Sequence, residues 1–415
     1  MTSVLILTWE YPPLIEGGLA RHVRKLSEGL VGQGVEVHVL TRGGEESPLE
    51  EEVGGVSIHR VIEPGRPSEL AEFVAWIERM NLDMLAAGVE LGDRFDFEVV
   101  HGHDWLVANA CDHLARRFDA SLVATIHATE YGRHQGWVDK HPQSHIHGVE
   151  RWFINRADRV IACSHYMREQ IVDIFAVEES KVEVIPNGID PGDLLAPDPA
   201  ELIRLRGEFA APEEKLVLLV GRLVYEKGIQ VALEAMPTLI ERVPGTRFLV
   251  AGSGTHEQQL RDQVVELGLT EHGTFLGWIG DDVLHSLYRI ADVCVVPSLY
   301  EPFGLVALEA MASNCPCIVA DTGGLREVVP GDGDVGLRFT ARDPAALATV
   351  TERLLTDPVL RDRLVAQAYE HLRLFDWVDV AEKTAAIYDR LQSRLGDRSP
   401  VAARRFAPVD PARCE

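Results

Sequence analysis

The stretch VCVVPSLYEPFGLVALEAMASNCPCIVADTGGLREVV, residues 293–329, decides the fold expected for this chain. Its first four residues are apolar and mostly β-branched, and Pro297 ends the strand that they predict. Residues 305–312 contain no helix breaker and predict a helix, and residues 317–320 predict a second buried strand. Strand, loop, helix and strand in this order form the unit of a parallel α/β sheet.

Two acidic residues flank the loop of this unit. Glu301 stands before the predicted helix, and Glu309 lies inside it. Gly304, Leu305 and Val306 stand at the amino end of the helix, where free backbone N–H groups and the helix dipole favour an anion. Two carboxylates beside an anion site suit a ligand that carries both hydroxyl groups and phosphate.

Length and composition restrict the class of protein. A chain of 415 residues is too long for one ordinary core, so two domains are expected. With 46% apolar and 25% charged residues, the composition is that of a globular protein. The net charge of −25 argues against nucleic acid as a partner and weakens docking on anionic lipid. A basic cluster, residues 21–25, is interpreted as a solvated helix face.

Neither a membrane span nor a secretion signal is predicted. No apolar run reaches the roughly 18 residues that a spanning helix needs. Residues 4–7 are too short a run for a signal-peptide core. The six cysteines are scattered and lack zinc-binding spacing, which is typical of reduced cytosolic proteins. We therefore expect a cytoplasmic protein, and a homo-oligomer is left open.

The α/β unit recurs along the chain in two series. We predict a first domain over residues 1–188, a second over 189–374, a final helix over 375–395 and a flexible tail over 396–415. Within the first domain, the acidic connection Glu45 to Glu52 is expected to be solvated.

Functional groups in such sheets cluster at the carboxyl ends of the strands. Glu10, Asp104 and His127 each follow a predicted strand of the first domain, so one crevice should hold all three. Gly17 and Gly18 do not form the GxGxxG pattern of dinucleotide-binding proteins, but they allow a ligand to approach the backbone closely.

Arg222 and Lys227 follow the first strand of the second domain. Together with the amino end of the 305–312 helix, two cations would hold a diphosphate leaving group. The histidines between residues 134 and 147 match no metal-binding spacing, and no paired aspartates stand at a strand end for magnesium. We therefore expect no metal and no other cofactor.

These motifs resemble a known family. Glu301-Pro-Phe-Gly-Leu-Val-Ala-Leu-Glu309 resembles the E-x7-E signature of retaining glycosyltransferases, family 4 in particular. Residues 17–18, 184–190 and 221–228 match the same family in order. Within it, residues 10–13, 101–105 and 125–128 are similar to the glycogen and starch synthase branch and its bacterial α-glucan relatives.

The resemblance implies a GT-B fold, in which two Rossmann-like domains face a deep cleft and the C-terminal helix crosses back to the first domain. It implies retaining transfer of glucose from ADP-glucose or UDP-glucose to the non-reducing end of an α-1,4-glucan, without metal. For the nucleotide part of the donor, the resemblance implies that Arg222 and Lys227 hold the diphosphate, that Gly18 and the backbone of 304–306 lie against phosphate, and that Glu309 binds the ribose. For the sugar, it implies that Glu301 faces the donor glucose and that His127 and Asp104 line the glucose site.

Two departures from the family affect the choice of donor and acceptor. Glu16 stands where classical bacterial enzymes have a lysine, and Ala128 stands where an asparagine is usual. Three alternatives stay open: a mannosyl- or glucosyltransferase acting on a lipid or small glycoside, a sugar-nucleotide epimerase, and a non-catalytic sensor. No nucleophile is well placed, so we expect an internal-return mechanism.

Overall fold

A computed structural model describes residues 2–44, 46–63, 65, 67, 70–194, 197–331 and 333–396. They form two α/β domains, each built on one sheet: eight strands in the first and six in the second. The predicted tail, 396–415, lies outside the described residues except for Gly396, which ends the last helix.

The first sheet has the strand order β3-β4-β2-β1-β5-β6-β7-β8, and all neighbours are parallel except β3 and β4. Its strands are β1 (Ser3–Leu7), β2 (Glu36–Gly43), β3 (Glu50–Val53), β4 (Val56–Ile62), β5 (Val99–His103), β6 (Ser121–Ile126), β7 (Arg159–Ala162) and β8 (Val182–Val184). Its helices are α1 (Gly18–Gly32), α2 (Leu70–Gly92), α3 (Ala108–Phe118), α4 (Glu130–Arg133), α5 (Gln143–Arg156) and α6 (His165–Phe175).

Of the predicted solvated connection Glu45 to Glu52, Glu45 lies outside the described residues; Glu50 and Glu52 are exposed as expected, but residues 50–52 belong to a strand and not to a connection. Strand β3 pairs antiparallel with β4, and Glu52 lies opposite Ser57. Gly54 and Gly55 join the two strands with φ of 61° and 81°. Positive φ at both turn residues suits a two-residue hairpin, so the glycine pair favours an edge strand despite the acidic side chains.

The second sheet is parallel throughout, with the order β11-β10-β9-β12-β13-β14. Its strands are β9 (Lys215–Val220), β10 (Thr246–Ala251), β11 (Gly273–Gly277), β12 (Val293–Val296), β13 (Cys317–Ala320) and β14 (Leu337–Phe339). The remaining helices are α7 (Pro199–Phe209), α8 (Ile229–Arg242), α9 (Glu257–Glu266), α10 (Asp281–Ile290), α11 (Leu305–Ala312), α12 (Leu325–Val328), α13 (Pro344–Thr356), α14 (Pro358–His371) and α15 (Trp377–Gly396).

Strand β12 occupies the centre of the second sheet because its four residues are buried and can pack on both faces. It pairs with β9 on one side and with β13 on the other. The carboxyl ends of β9 and β12 are therefore neighbours, and the loops that follow them begin side by side.

Helix α15 packs against the first domain. Its buried side chains Val380, Ile387 and Tyr388 join the apolar cluster that α1 and β1 form. The hydroxyl of Tyr388 lies 2.7 Å from Nδ1 of His101 in β5. The two sheets lie within residues 3–184 and 215–339, and the exact domain boundaries stay a prediction.

The parts of the chain that the structure describes contain no helix that is both long and apolar enough to cross a lipid bilayer. The five cysteines among them are buried free thiols.

Candidate active site

The amino end of α11 meets the Gly17-Gly18 loop where the two domains face each other. Gly304 precedes α11 with φ of 122°, a conformation that L side chains rarely adopt. A Cβ at Gly18 would lie only 2.8 Å from Cδ1 of Leu305. The absence of a side chain at Gly18 therefore lets the side chain of Leu305, the first residue of α11, approach the backbone of the first domain.

Acidic side chains organise the loop before Gly18. Oε2 of Glu10 accepts a hydrogen bond of 3.0 Å from Gly17 N. Glu16 forms an ion pair with Arg42, whose buried guanidinium donates from Nε to Trp9 O at 2.8 Å. The residue that stands in the place of the family's lysine is thus held by a cation of its own domain.

The loops after β9 and β12 bring predicted site residues into direct contact. Nζ of Lys227 lies 2.8 Å from Oε2 of Glu301, which also accepts a 2.9 Å hydrogen bond from Ser298 Oγ. Arg222 is more exposed and lies 3.7 Å from Glu226. Two cations and a buried carboxylate thus occupy one side of the cleft.

Arg133, at the end of α4, supplies a further cation from the first domain. Desolvation in the cleft lowers the pKa of Arg222, and the charge of Arg133 lowers it further. Burial opposes the charge of Arg133 itself, but Asp104, Glu130 and Glu150 raise its pKa. Arg133 therefore links the carboxylates of the first domain to the cations of the second.

Glu309 is partly buried, with 15% of its side chain exposed, and is tied to both domains. Its Oε2 accepts a 2.9 Å hydrogen bond from Tyr288 OH, and its Oε1 lies 3.5 Å from Nη1 of Arg21 in α1. Burial raises the pKa of Glu309, and the charge of Arg21 acts in the opposite direction. Arg21 also forms an ion pair with Asp281.

Asp104 and His127 lie together at the carboxyl ends of β5 and β6. Asp104 has φ of 61°, and its Oδ1 accepts a 2.8 Å hydrogen bond from His127 N. Burial raises the pKa of Asp104 to about 6. Burial, followed by the charge of Arg133, lowers the pKa of His127 to about 4, so its imidazole is neutral at pH 7.

His127 also belongs to a group of three histidines with His22 and His103, of which the last two are buried. Nδ1 of His103 lies 3.0 Å from Nε2 of His127, and the ring of His22 lies 4.7 Å from the ring of His127. Ring nitrogens of the three side chains come within 4.8 Å of one another, a distance compatible with a metal ligand set. A metal bound by all three would have to replace the hydrogen bond between His103 and His127.

The interpretation of residues 21–25 as a solvated helix face was wrong in part. His22 is only 7% exposed, and its ring contacts that of Trp377 in α15. Arg21 pairs with Glu309, as described, and Lys25 forms ion pairs with Asp190 and Asp193. These side chains serve contacts within the molecule rather than a free basic surface.

Contacts between the domains hold the loop of residues 299–304 in place. Thr129 N donates to Tyr300 OH at 3.2 Å, and Ser164 Oγ donates to Pro302 O at 2.6 Å. The carboxylate of Glu327 accepts from the two amides that begin α6, those of His165 and Tyr166, each at 2.9 Å. Both halves of the site therefore have defined relative positions.

Sequence reasoning assigned no role to Arg21, His103, Arg133 or Tyr288. A signal for His103 exists: it lies opposite Thr125 in the sheet register, and His127 is two residues beyond Thr125, on the same face. The others depend on packing between segments far apart in the chain, which local patterns do not report.

Two protein-family models match this chain. Residues 16–193 match the family described as Glycosyltransferase Family 4, and residues 204–371 match Glycosyl transferases group 1. The chain is 39% identical to a protein named glycogen synthase from Mycobacterium tuberculosis, over 96% of each chain. It is 30% identical to a D-inositol 3-phosphate glycosyltransferase from Actinosynnema mirum, over 94% of this chain and 97% of that one.

A solved structure, the sucrose-phosphate synthase of Thermosynechococcus elongatus, superimposes with a TM-score of 0.80 at 26% identity. The match covers 95% of this chain and all of that one. It agrees with the two facing Rossmann-like domains described above. This chain belongs to the group 1 glycosyltransferases, enzymes of GT-B architecture.

Proposed function

We propose that this protein is a family 4 retaining glucosyltransferase of the glycogen and starch synthase branch. It would move glucose from ADP-glucose or UDP-glucose to the non-reducing end of an α-1,4-glucan in the cytoplasm. The observation that carries the proposal is the pair of Lys227 and Glu301, the latter in the loop before α11. Cys163 joins this loop to His127 through contacts with Pro302 O and His127 O.

The donor diphosphate would lie between the cations and the helix. Arg222 and Lys227 supply two positive charges, and the N–H groups of residues 304–306 supply the positive end of α11. The negative charge on the diphosphate grows as the leaving group departs, so these groups stabilise the transition state more than the bound donor. This arrangement does the work of a magnesium ion, which is why we propose a metal-independent reaction.

The carboxylates would hold the two sugars of the donor. Glu301 would accept hydrogen bonds from hydroxyls of the transferred glucose while Lys227 holds its carboxylate in place. Glu309, held by Tyr288, would accept from the ribose hydroxyls. His127 would bind a glucose hydroxyl, and ionised Asp104 would stabilise positive charge that develops at the anomeric carbon.

The transfer step follows from these positions. The bond between the anomeric carbon and the diphosphate oxygen breaks, and its electron pair leaves with the diphosphate. The acceptor hydroxyl forms the new bond from the same face, and its proton passes to the departing phosphate oxygen. No enzyme nucleophile and no further co-reactant is required, and the configuration is retained.

A second candidate has the same donor chemistry and a small phosphorylated acceptor. Its support is the 30% identical relative named D-inositol 3-phosphate glycosyltransferase, together with the fold shared with a sucrose-phosphate synthase. A lipid or other small glycoside as acceptor is a further variant of this candidate. An epimerase is disfavoured because Glu301 and Glu309 flank a donor site in the pattern of a transferase.

One experiment separates these functions. The purified protein is incubated with ADP-glucose or UDP-glucose and, in separate arms, with glycogen, maltooligosaccharide, inositol phosphate, sugar phosphates or lipid extract. The variant Glu301→Ala is the matched control. Transfer to glucan with an α-linkage by NMR supports the proposal, and transfer only to a phosphorylated acceptor supports the second candidate. A near-normal rate in Glu301→Ala, or an inverted linkage, would refute the site assignment or the mechanism.

A further inference from the structure

We propose that His103 is a positioning residue that fixes His127 as the tautomer with its proton on Nδ1, so that His127 presents a hydrogen-bond donor to the substrate. The effect on substrate binding rests on the proposed function, because that function assigns His127 to the glucose site. The tautomer itself follows from the contacts of the two rings.

The two rings share one hydrogen bond deep in the first domain. Nδ1 of His103 and Nε2 of His127 are 3.0 Å apart, and the ring planes are inclined by 18°. His103 is completely buried on β5. Its ring also stacks on His101, whose two nitrogens lie 2.7 Å from the hydroxyls of Tyr388 and Thr125. The plane of the His103 ring is therefore defined from both sides.

Each of the two imidazoles carries a single N–H. Burial lowers the pKa of His103 well below its usual value and that of His127 to about 4, so both rings are neutral at pH 7. A neutral imidazole has one donor nitrogen and one acceptor nitrogen. In the shared hydrogen bond, either His103 donates and His127 accepts, or the reverse.

The buried environment of His103 decides between these arrangements. Its Nε2 is buried and has no hydrogen-bond partner among the described residues. If His103 accepted at Nδ1, its proton would be on Nε2 and would be a buried donor without an acceptor. If His103 donates from Nδ1, only a lone pair is left unsatisfied. Orphaned N–H groups are rarer in proteins than unsatisfied acceptors, so the second arrangement is favoured.

The consequence concerns the other nitrogen of His127. Because its Nε2 accepts from His103, its proton must be on Nδ1, and Nδ1 is the nitrogen left for a ligand. A sugar hydroxyl bound there would accept this proton in a hydrogen bond. A His127 of mixed tautomers would offer this donor only part of the time, which weakens sugar binding.

Substitutions of His103 test the assignment. His103→Asn keeps an amide N–H near the position of Nδ1, whereas His103→Leu removes the donor and has a similar size. The tautomer of His127 is read in protein labelled with nitrogen-15 in histidine, from the shifts of its two ring nitrogens, and His127→Asn identifies its signals. We expect Nδ1–H in the wild type and in His103→Asn, and a mixture or Nε2–H in His103→Leu.

The activity readout uses the same variants. We expect kcat/KM to fall roughly tenfold in His103→Leu, the size of one neutral hydrogen bond, and to be largely restored in His103→Asn. His38 provides a matched control, because its Nδ1 lies 3.1 Å from Nε2 of His59 in a second buried histidine pair of the same sheet. His38→Leu should lower stability but leave both the tautomer of His127 and kcat/KM unchanged.

The outcomes separate this inference from the proposed function. A wild-type His127 with its proton on Nε2, or a tautomer that is unchanged in His103→Leu, would overturn the assignment. If His103→Leu does not fold, the wild-type spectrum alone decides. The spectrum needs no substrate, so a protein with Nδ1–H that transfers no glucose would refute only the proposed function.

Discussion

The contact between Lys227 and Glu301 predicts that substitution of Lys227 lowers both stability and activity, whereas substitution of Arg222 lowers activity and leaves stability nearly unchanged. The side chain of Lys227 is 21% exposed and that of Glu301 is 10% exposed, whereas the side chain of Arg222 is 56% exposed. Lys227→Met leaves the carboxylate of Glu301 buried without its cation. Arg222→Met removes an exposed cation that lies 3.7 Å from Glu226, whose side chain is 13% exposed, so the contact that is lost is longer and its cation is better hydrated.

Removal of one partner from a fully buried ion pair costs about 3–5 kcal/mol. Because both partners here keep some contact with water, we expect Lys227→Met to lower the free energy of unfolding by about 2 kcal/mol. Arg222→Met should change it by less than about 0.5 kcal/mol. Both variants should lose about 100-fold or more in kcat/KM, because in the proposed reaction each removes a charge that would stabilise the leaving diphosphate.

The assay combines urea unfolding with initial rates of glucose transfer for both variants. The double variant Lys227→Met/Glu301→Gln should be more stable than Lys227→Met alone, because the uncompensated charge is then absent. If Lys227→Met destabilises no more than Arg222→Met, the contact contributes little to stability. If Arg222→Met keeps normal activity, Arg222 does not hold the diphosphate.

Three further predictions concern the cleft. Gly18→Val should raise KM for the nucleotide sugar with unchanged circular dichroism, because a Cβ there meets Leu305 Cδ1 at 2.8 Å, and a normal KM would contradict the close approach. Burial raises the pKa of the Glu150 carboxyl from 4.5 to about 8, so the folded state binds its proton more tightly than the unfolded state does. The free energy of unfolding of the wild type should therefore fall as the pH rises from 4.5 to about 8. Glu150→Gln should remove that decline, seen as a stability advantage at pH 9 but not at pH 5, and equal pH profiles would refute it. EDTA should leave the transfer rate unchanged, and a loss restored by a divalent cation would refute metal independence.

The loop before α11 depends on contacts from both domains. The segment 299–306 carries the carboxylate and the helix end, but Thr129 and Ser164 of the first domain hold it in position. Substitution of Tyr300 would therefore act on the site through the first domain. The second domain supplies the side chains of this loop, and the first domain fixes the position of the loop.

The sequence by itself determined the class of fold and the proximity of two predicted site residues of the second domain, Lys227 and Glu301. Short β-branched runs followed by glycine-rich loops and helices are local patterns, and residues 293–329 carry them in one stretch. Because parallel strands end at the same edge of a sheet, the positions of Lys227 and Glu301 after their strands already indicated that these two side chains meet. Strand β3 was missed because its acidic composition concealed a turn that Gly54 and Gly55 favour.

Only the tertiary structure decided which side chains complete the site. His22 lies in α1 among charged residues, and the sequence around it does not indicate that α15 covers its side chain. Arg21 reaches Glu309 across 288 residues of sequence, and His103 meets His127 across 24. Burial is a property of the packed molecule, and it lowers the pKa of His22, His103 and His127.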